Sequence, residues 1–180
     1  CDKSNYNLGF ILKKNLALTG MMGVGKTTIG KTLSRRLLMQ FSDIDKIIEE
    51  KLKMSIKEIF KEKGELYFRK LEETTILEES KKKNIVISLG GGAFINSKIR
   101  KNILSNSKSF WLDMDTTLLE ARLNKSKERP LLAGKNLKES IVKIYKERKN
   151  TYALANYRIN CNKLNINSII NKIIKLYENN

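Results

Sequence analysis

The segment GMMGVGKT, from Gly20 to Thr27, decides the fold of this 180-residue chain. It follows the apolar run NLALT, Asn15–Thr19, which predicts a β-strand, and it opens a helical pattern near Lys26–Met39. The spacing matches G-x-x-x-x-G-K-[ST], a loop whose backbone N–H groups surround phosphate oxygens at the start of a helix. A chance glycine-rich turn is the alternative. The strand before and the helix after favour a nucleoside triphosphate site.

Each residue type in this segment has a chemical reason to be there. Gly20, Gly23 and Gly25 let the backbone curl around phosphate groups. We expect Lys26 to reach the β- and γ-phosphates and to serve catalysis, and Thr27 to offer its hydroxyl to Mg²⁺. The residues expected to contact the nucleotide here are Gly23, Val24, Gly25, Lys26, Thr27 and Thr28.

Outward from this loop, short apolar runs alternate with longer helical patterns. The predicted strands are Asn15–Thr19, a weak one ending near Phe41–Asp43, Asn84–Leu89, Ser109–Asp113 and Tyr157–Cys161. The predicted helices lie near Lys26–Met39, Asp45–Lys53, Glu65–Lys82, Ser97–Leu104, Thr116–Asn124, Leu137–Lys149 and Asn167–Tyr177, with a capping box SIKE at Ser55–Glu58. Such alternation indicates an α/β fold with a parallel sheet covered by helices. The length predicts a single domain over residues 1–180, with no role assigned to residues 1–14.

Composition narrows the chemistry. The chain has no histidine, which excludes Ser–His and Cys–His nucleophile pairs and histidine-ligated metals. Its two cysteines, Cys1 and Cys161, make neither a disulfide framework nor a zinc site. No apolar stretch approaches the roughly 20 residues of a membrane span, and the first residues lack the layout of a signal peptide. We therefore expect a cytoplasmic protein with no membrane partner.

The formal net charge of +17 suggests an anionic partner. The alternatives are nucleic acid, an anionic membrane, anionic small molecules, or a bias in composition towards lysine, asparagine and isoleucine. The lysines are scattered and few aromatic residues lie between them, so the sequence predicts no nucleic-acid partner.

Two carboxylates stand at the expected end of the second strand, in FSDIDK. Asp43 and Asp45 would face the same way in extended chain and would project from the carboxyl edge of the sheet. Mg²⁺ near Asp43 and a substrate hydroxyl near Asp45 would relieve their repulsion, and Asp45 could then accept the hydroxyl proton. The alternative is that Asp45 is only the N-cap of the next helix.

Two further segments carry arginines. In FRKLEE, Arg69 and Glu72 share one helix face, and a guanidinium held this way suits a substrate carboxylate or phosphate. An ordinary surface ion pair is the alternative. The basic segment KSKERPLLAGKN, residues 125–136, contains Arg129 and is either a lid that closes over the nucleotide or an exposed loop.

The stretch VISLGGGAF, Val86–Phe94, places three glycines directly after an apolar strand. Glycine in a regular element costs roughly 0.5–1 kcal/mol relative to alanine, so Gly90, Gly91 and Gly92 need a reason. Because the phosphate loop already serves the nucleotide, this second stretch of bare backbone is expected to lie where the acceptor meets the γ-phosphate.

Taken together and in this order, GMMGVGKTT, SDID, MSIKEIF, GELYFRKLEE, SLGGGA and ERPLLAG resemble the shikimate kinase family over about residues 15–161. The resemblance implies a P-loop kinase fold in three layers, with a five-stranded parallel sheet ordered 2-3-1-4-5. It implies a substrate-binding segment at about 45–82 and a lid at about 124–136. It also implies transfer of the γ-phosphate of ATP, with Mg²⁺, to the 3-hydroxyl of shikimate.

The resemblance assigns roles residue by residue. Asp45 would bind the 3-hydroxyl and act as the base, and Asp43 would help Thr27 to hold the metal. The remaining acceptor contacts would come from Phe60, Arg69, Gly90, Gly91, Gly92 and Arg148. Arg122 would lie against the adenine, and Arg129 would touch the phosphates during transfer. Asn150, between Arg148 and Tyr152, stands where the family often has proline.

Two other functions remain open from the sequence. One is a small P-loop kinase for gluconate or a nucleoside monophosphate. The other is a basic, nucleotide-dependent binding protein without turnover. For the kinase that the resemblance implies, a monomer is expected.

Overall fold

The structure, a computed structural model, describes residues 14–125 and 136–179. Most of the predicted lid, including Arg129, lies outside these residues, as does nearly all of the predicted extension at residues 1–14. Among the helices that are described, none combines the length and apolar character needed to cross a membrane.

Five parallel strands form one sheet in the order β2-β3-β1-β4-β5, which confirms the predicted 2-3-1-4-5 arrangement. Their bounds are β1 Asn15–Thr19, β2 Gln40–Asp43, β3 Ile85–Ser88, β4 Ser107–Asp113 and β5 Tyr157–Asn160. The central strand β1 is buried along its whole length, with Leu16 paired to Val86 of β3 and Leu18 paired to Phe110 of β4. Because the strand is hidden on both faces, its three central residues, Leu16, Ala17 and Leu18, are all apolar.

Eight helices accompany the sheet in the described residues, together with a short 3₁₀ turn at Ala93–Ile95. They are α1 Lys26–Leu37, α2 Ile44–Leu52, α3 Ile56–Lys63, α4 Glu65–Glu79, α5 Ser97–Asn106, α6 Thr116–Lys125, α7 Leu137–Tyr152 and α8 Ile166–Glu178. Helix α1 packs against α8, and α4 packs against α5. The helix expected after the capping box at Ser55 is α3, and both reciprocal hydrogen bonds of the box are present.

Several helices and strands begin or end a few residues away from the predicted positions. Helix α1 stops at Leu37 rather than Met39, because Leu38 adopts the left-handed conformation with φ 55° and closes the helix. Helix α4 ends at Glu79 rather than Lys82, and strand β4 begins at Ser107 rather than Ser109. Helix α7 continues three residues past Lys149 to Tyr152, which brings that tyrosine into the core.

The topology gathers the chemically important segments at one edge. The phosphate loop follows β1, Asp43 ends β2, and the three glycines follow β3. Because the three strands are parallel neighbours, their carboxyl ends meet at the same side of the sheet.

Candidate active site

The loop between β1 and α1 takes a conformation that needs glycine. Gly20, Gly23 and Gly25 have φ of 137°, 79° and 103°, a region that other residues rarely adopt. At Gly20 space is also lacking, because a Cβ there would lie 2.5 Å from the Leu112 carbonyl oxygen of β4. The loop is therefore pressed against the sheet and opens directly into α1.

Lys26 is the first residue of α1 and is almost wholly buried. Its Nζ donates hydrogen bonds of 2.9 Å to the carbonyl oxygens of Gly20 and Met21. On the other side of the loop, Arg122 of α6 donates from Nη1 to the Val24 carbonyl at 3.2 Å. Two cationic side chains thus lie against the loop, as expected for a site that receives polyanionic phosphates.

The two aspartates have separate positions. Asp43 is the last residue of β2 and the N-cap of α2, where its Oδ1 accepts from the Lys46 N–H at 3.3 Å. Its Oδ2 accepts from the Thr27 hydroxyl at 2.6 Å. Asp45 lies inside the first turn of α2, so the alternative that Asp45 is the N-cap is wrong. The expectation that strand alternation aligns the pair is also wrong, because the chain is already helical at Asp45.

A cavity of about 260 Å³ joins these groups. Its walls include Lys26, Asp43, Asp45, Gly91 and Arg122. Predicted residues Gly23, Gly25, Thr27 and Thr28 also line it, together with Ser88, Leu89 and Leu123, which the sequence did not single out. The side chain of Val24 is buried in the core, so only its backbone is available to a ligand at the loop. Its carbonyl oxygen accepts the hydrogen bond from Arg122.

The three glycines after β3 are needed for space and not for backbone conformation. None of them is among the described glycines with positive φ. A Cβ on Gly90 would lie 2.4 Å from Glu72 Oε1 and 2.9 Å from Asp45 Oδ1. A Cβ on Gly92 would lie 2.9 Å from both terminal nitrogens of Arg69. Bare backbone therefore lets two carboxylates and a guanidinium approach the turn.

Arg69 of α4 is held from two sides. Its Nη1 donates to Glu72 Oε2 at 2.8 Å, and its Nε and Nη2 donate to Glu65 Oε1 at 3.2 Å. Its guanidinium carbon also lies 5.9 Å from the ring centre of Phe60 and 5.2 Å from that of Phe68. Because Glu72 is 1% exposed, the pair is not the surface ion pair considered as an alternative.

Glu72 is an unusual carboxylate. Burial raises its pKa, Arg69 opposes that effect, and Asp45 adds to it. Its Oε1 is buried without a hydrogen-bond partner among the described residues. For Arg69, burial lowers the pKa, but the carboxylates of Glu72 and Glu65 outweigh it and the net pKa is raised. The pKa values of both members of the pair are therefore raised, that of Glu72 by burial and that of Arg69 by its two carboxylate partners.

A family model described as shikimate kinase matches residues 22–178. The chain belongs to the shikimate kinase family. It is therefore a kinase that transfers phosphate from ATP to a hydroxyl acceptor. The match covers the loop from Met22 onward, both aspartates, the three glycines and helices α4 and α7.

Individual relatives of this chain agree with the family match. The chain is 44% identical over 161 residues to the shikimate kinase of Sulfurihydrogenibium sp. (strain YO3AOP1), which covers 89% of this chain and 96% of that one. The crystal structure of shikimate kinase from Bacteroides thetaiotaomicron has a TM-score of 0.85 at 34% identity, covering 92% and 98% of the two chains. Shikimate kinase from Acinetobacter baumannii in complex with shikimate has a TM-score of 0.87 at 32% identity, covering 91% and 92%.

Helix α7 reaches the glycine turn through two side chains. Arg148 donates from Nη1 to the Gly91 carbonyl at 3.0 Å, and the Tyr152 hydroxyl donates to the same oxygen. The sequence predicted Arg148 but missed Tyr152. The available signal was the four-residue spacing in RKNTY, which places both side chains on one helix face.

Proposed function

We propose that this chain transfers the γ-phosphate of ATP to the 3-hydroxyl of shikimate, which gives shikimate 3-phosphate and ADP. The observation that carries the proposal is that Lys26 of the phosphate loop and Asp45 line the same cavity. A donor phosphate and an acceptor hydroxyl held there would meet within reach of a carboxylate base. The bound shikimate in the relative from Acinetobacter baumannii supports the acceptor.

ATP is proposed to bind along the loop. The backbone of Gly23, Val24 and Gly25 would donate to the phosphates at the N-terminus of α1, with Lys26 neutralising charge and Thr28 completing the cradle. Arg122, whose guanidinium already lies against Val24, is proposed to pack on the adenine.

Thr27 and Asp43 are the residues proposed to hold Mg²⁺. Their oxygens lie 2.6 Å apart, and a hydroxyl with a carboxylate is the oxygen donor set that this hard cation takes. When bound, the ion would offset the negative charge of the phosphates.

The acceptor is proposed to lie between α2, α4, α7 and the glycine turn. Its 3-hydroxyl oxygen attacks the γ-phosphorus, the bond from that phosphorus to the bridging oxygen of ADP breaks, and the hydroxyl proton passes to Asp45. Arg69 and Arg148 hold the acceptor carboxylate, for which planar guanidinium groups are suited. The proposed remaining contacts are the Phe60 ring, next to Arg69, and the backbone of Gly90, Gly91 and Gly92.

Arg129 and the lid at about 124–136 are proposed to close over the bound nucleotide, with Arg129 contacting the phosphates during transfer. The substrate-binding segment at about 45–82 corresponds to helices α2, α3 and α4.

The proposed protein is a cytoplasmic monomer with no nucleic-acid or membrane partner, and light scattering is expected to give a mass near 20.7 kDa.

The test is ADP release followed spectrophotometrically with shikimate, gluconate and a nucleoside monophosphate as acceptors. Turnover is expected with shikimate alone and is expected to require Mg²⁺. Lys26→Ala should abolish transfer while the circular dichroism spectrum is kept, and the exposed Lys31→Ala on the same helix should retain activity. Turnover with another acceptor but not with shikimate would overturn the proposal.

A further inference from the structure

Tyr152 is a fully buried side chain that touches both halves of the site. Its hydroxyl donates to the Gly91 carbonyl in the glycine turn and lies 3.9 Å from the Met21 sulfur in the phosphate loop. Its ring packs against Trp111 with centroids 6.0 Å apart. The last residue of α7 therefore joins the acceptor side of the site to the nucleotide side.

The Gly91 carbonyl accepts two hydrogen bonds from α7. One comes from Tyr152 and the other from Arg148 Nη1 at 3.0 Å. A carbonyl oxygen has two lone pairs, so these donors fill its capacity. The two side chains are one helical turn apart, which lets them reach the same atom.

The double contact matters because Arg148 has a second proposed partner. A guanidinium that turns to an acceptor carboxylate weakens or gives up its bond to Gly91. A polar group left without a partner opposes such a change, and a remaining donor removes that penalty. Burial raises the pKa of Tyr152, so its hydroxyl keeps the proton that it donates.

We propose that Tyr152 is a positioning residue that releases Arg148 for the acceptor. Its hydroxyl keeps the Gly91 carbonyl hydrogen-bonded while Arg148 exchanges that oxygen for the acceptor carboxylate. The inference rests on the proposed function, since it requires an acceptor with a carboxylate.

The first test compares Tyr152→Phe with Tyr177→Phe. Tyr177 of α8 is a matched control, because it is also buried and its hydroxyl also donates to a backbone carbonyl, that of Lys14 just before β1. Tyr152→Phe should raise the KM for shikimate about tenfold, with kcat and the KM for ATP changed by less than about twofold. Tyr177→Phe should leave all three constants unchanged. Equal values of the shikimate KM in the two variants would overturn the inference.

The second test repeats Tyr152→Phe in an Arg148→Ala background. Without the arginine there is no donor to release, so the added change in shikimate KM should be less than about twofold. A further tenfold rise in that background would show that Tyr152 acts by another route and would overturn the inference.

A third measurement uses the unaltered chain and does not depend on the folding of a variant. With ¹³C placed at Cζ of tyrosine, saturating shikimate should shift the Tyr152 signal, because its hydroxyl becomes the main donor to Gly91. The Tyr177 signal should stay in place. An unmoved Tyr152 signal would overturn the inference even where shikimate is turned over. Absence of any turnover with shikimate would instead overturn the proposed function itself.

Discussion

Two aspartates separated by one residue have different tasks in this chain. Asp43 caps α2 and contacts Thr27, so its carboxylate is occupied by the fold and by the proposed metal site. Asp45 does not cap the helix. It lies in the first turn of α2 and lines the cavity. Although only one residue separates them, Asp43 has a structural role as the cap of α2, whereas Asp45 is the proposed catalytic carboxylate.

Asp45→Asn tests the catalytic assignment. The amide cannot accept the hydroxyl proton, so kcat is expected to fall about 10²- to 10⁴-fold. The affinity for ADP, measured by calorimetry, should be unchanged because Asp45 is not part of the phosphate loop. The exposed Asp115→Asn serves as control and should keep full kcat. Retention of wild-type kcat in Asp45→Asn would exclude Asp45 as the base.

The glycines after β3 make a second test, because neighbours in sequence face different surroundings. Gly90→Ala would drive a methyl group into the carboxylates of Asp45 and Glu72, and displacement of Asp45 should lower kcat about 10²-fold. Gly91→Ala meets protein atoms only at 3.4 Å and beyond, so the fold should be kept. Its methyl group borders the cavity, and the KM for shikimate should rise more than the KM for ATP. Equal loss of both in Gly91→Ala would show that the turn has no special relation to the acceptor.

At the scale of elements, two helices each deliver a pair of side chains. Helix α4 presents Arg69 with Glu72 three residues later, and α7 presents Arg148 with Tyr152 four residues later. In both pairs the partner residue is buried and the arginine is partly accessible. Helix α4 therefore supplies a cation together with the carboxylate that holds it, and α7 supplies a cation together with a hydroxyl that shares its carbonyl partner.

The buried acid of α4 gives a pH prediction. Burial raises the pKa of Glu72 above its ordinary value of 4.5, so the folded chain binds this proton more tightly than the unfolded chain. The resulting stabilisation is complete below pH 4.5 and is lost as the pH rises through the folded pKa. The free energy of unfolding of the native chain, relative to Glu72→Gln, should therefore fall as the pH is raised.

Urea unfolding over a pH series measures this difference. The exposed Glu147→Gln is the control, and its difference from the native chain should stay nearly constant. A difference for Glu72→Gln that grows with pH would contradict the direction of the shift.

The sequence predicted which helices and strands are present better than it predicted where they end. It predicted the residues of the loops better than the side chains that pack behind those loops. Periodicity located all five strands, but it could not show that Asp43 and not Asp45 would cap α2, since both are good caps. Asp43 becomes the cap because it pairs with Ser88 of β3, which keeps it in the strand until α2 begins. That pairing joins residues far apart in sequence, so local patterns could not predict it. Tyr152 was missed for the same reason: its burial depends on Trp111 and Gly91, which lie far away in sequence.

At the scale of the whole molecule, the net charge of +17 raises the question of nucleic-acid binding. Non-specific nucleic-acid binding typically has a dissociation constant of about 10⁻⁴–10⁻⁶ M at physiological salt. Anisotropy with a labelled oligonucleotide should show no saturation below about 1 μM protein at about 150 mM salt, and binding should strengthen when the salt concentration is lowered. Submicromolar binding that persists at physiological salt would favour a nucleic-acid role.

The central position of β1 has a consequence for synthesis on the ribosome. Among the strands of the described residues, β1 is synthesised before the others, and both of its neighbours follow much later. Even Asn15, at its start, accepts a hydrogen bond at its side-chain oxygen from the N–H of Ile85, 70 residues further on. At a translation rate of about 5–20 residues per second, the apolar strand waits roughly 4–14 s for its first partner. During that interval the nascent chain carries an unpaired hydrophobic strand next to a glycine-rich loop, and protection by the ribosome or a chaperone would matter most then.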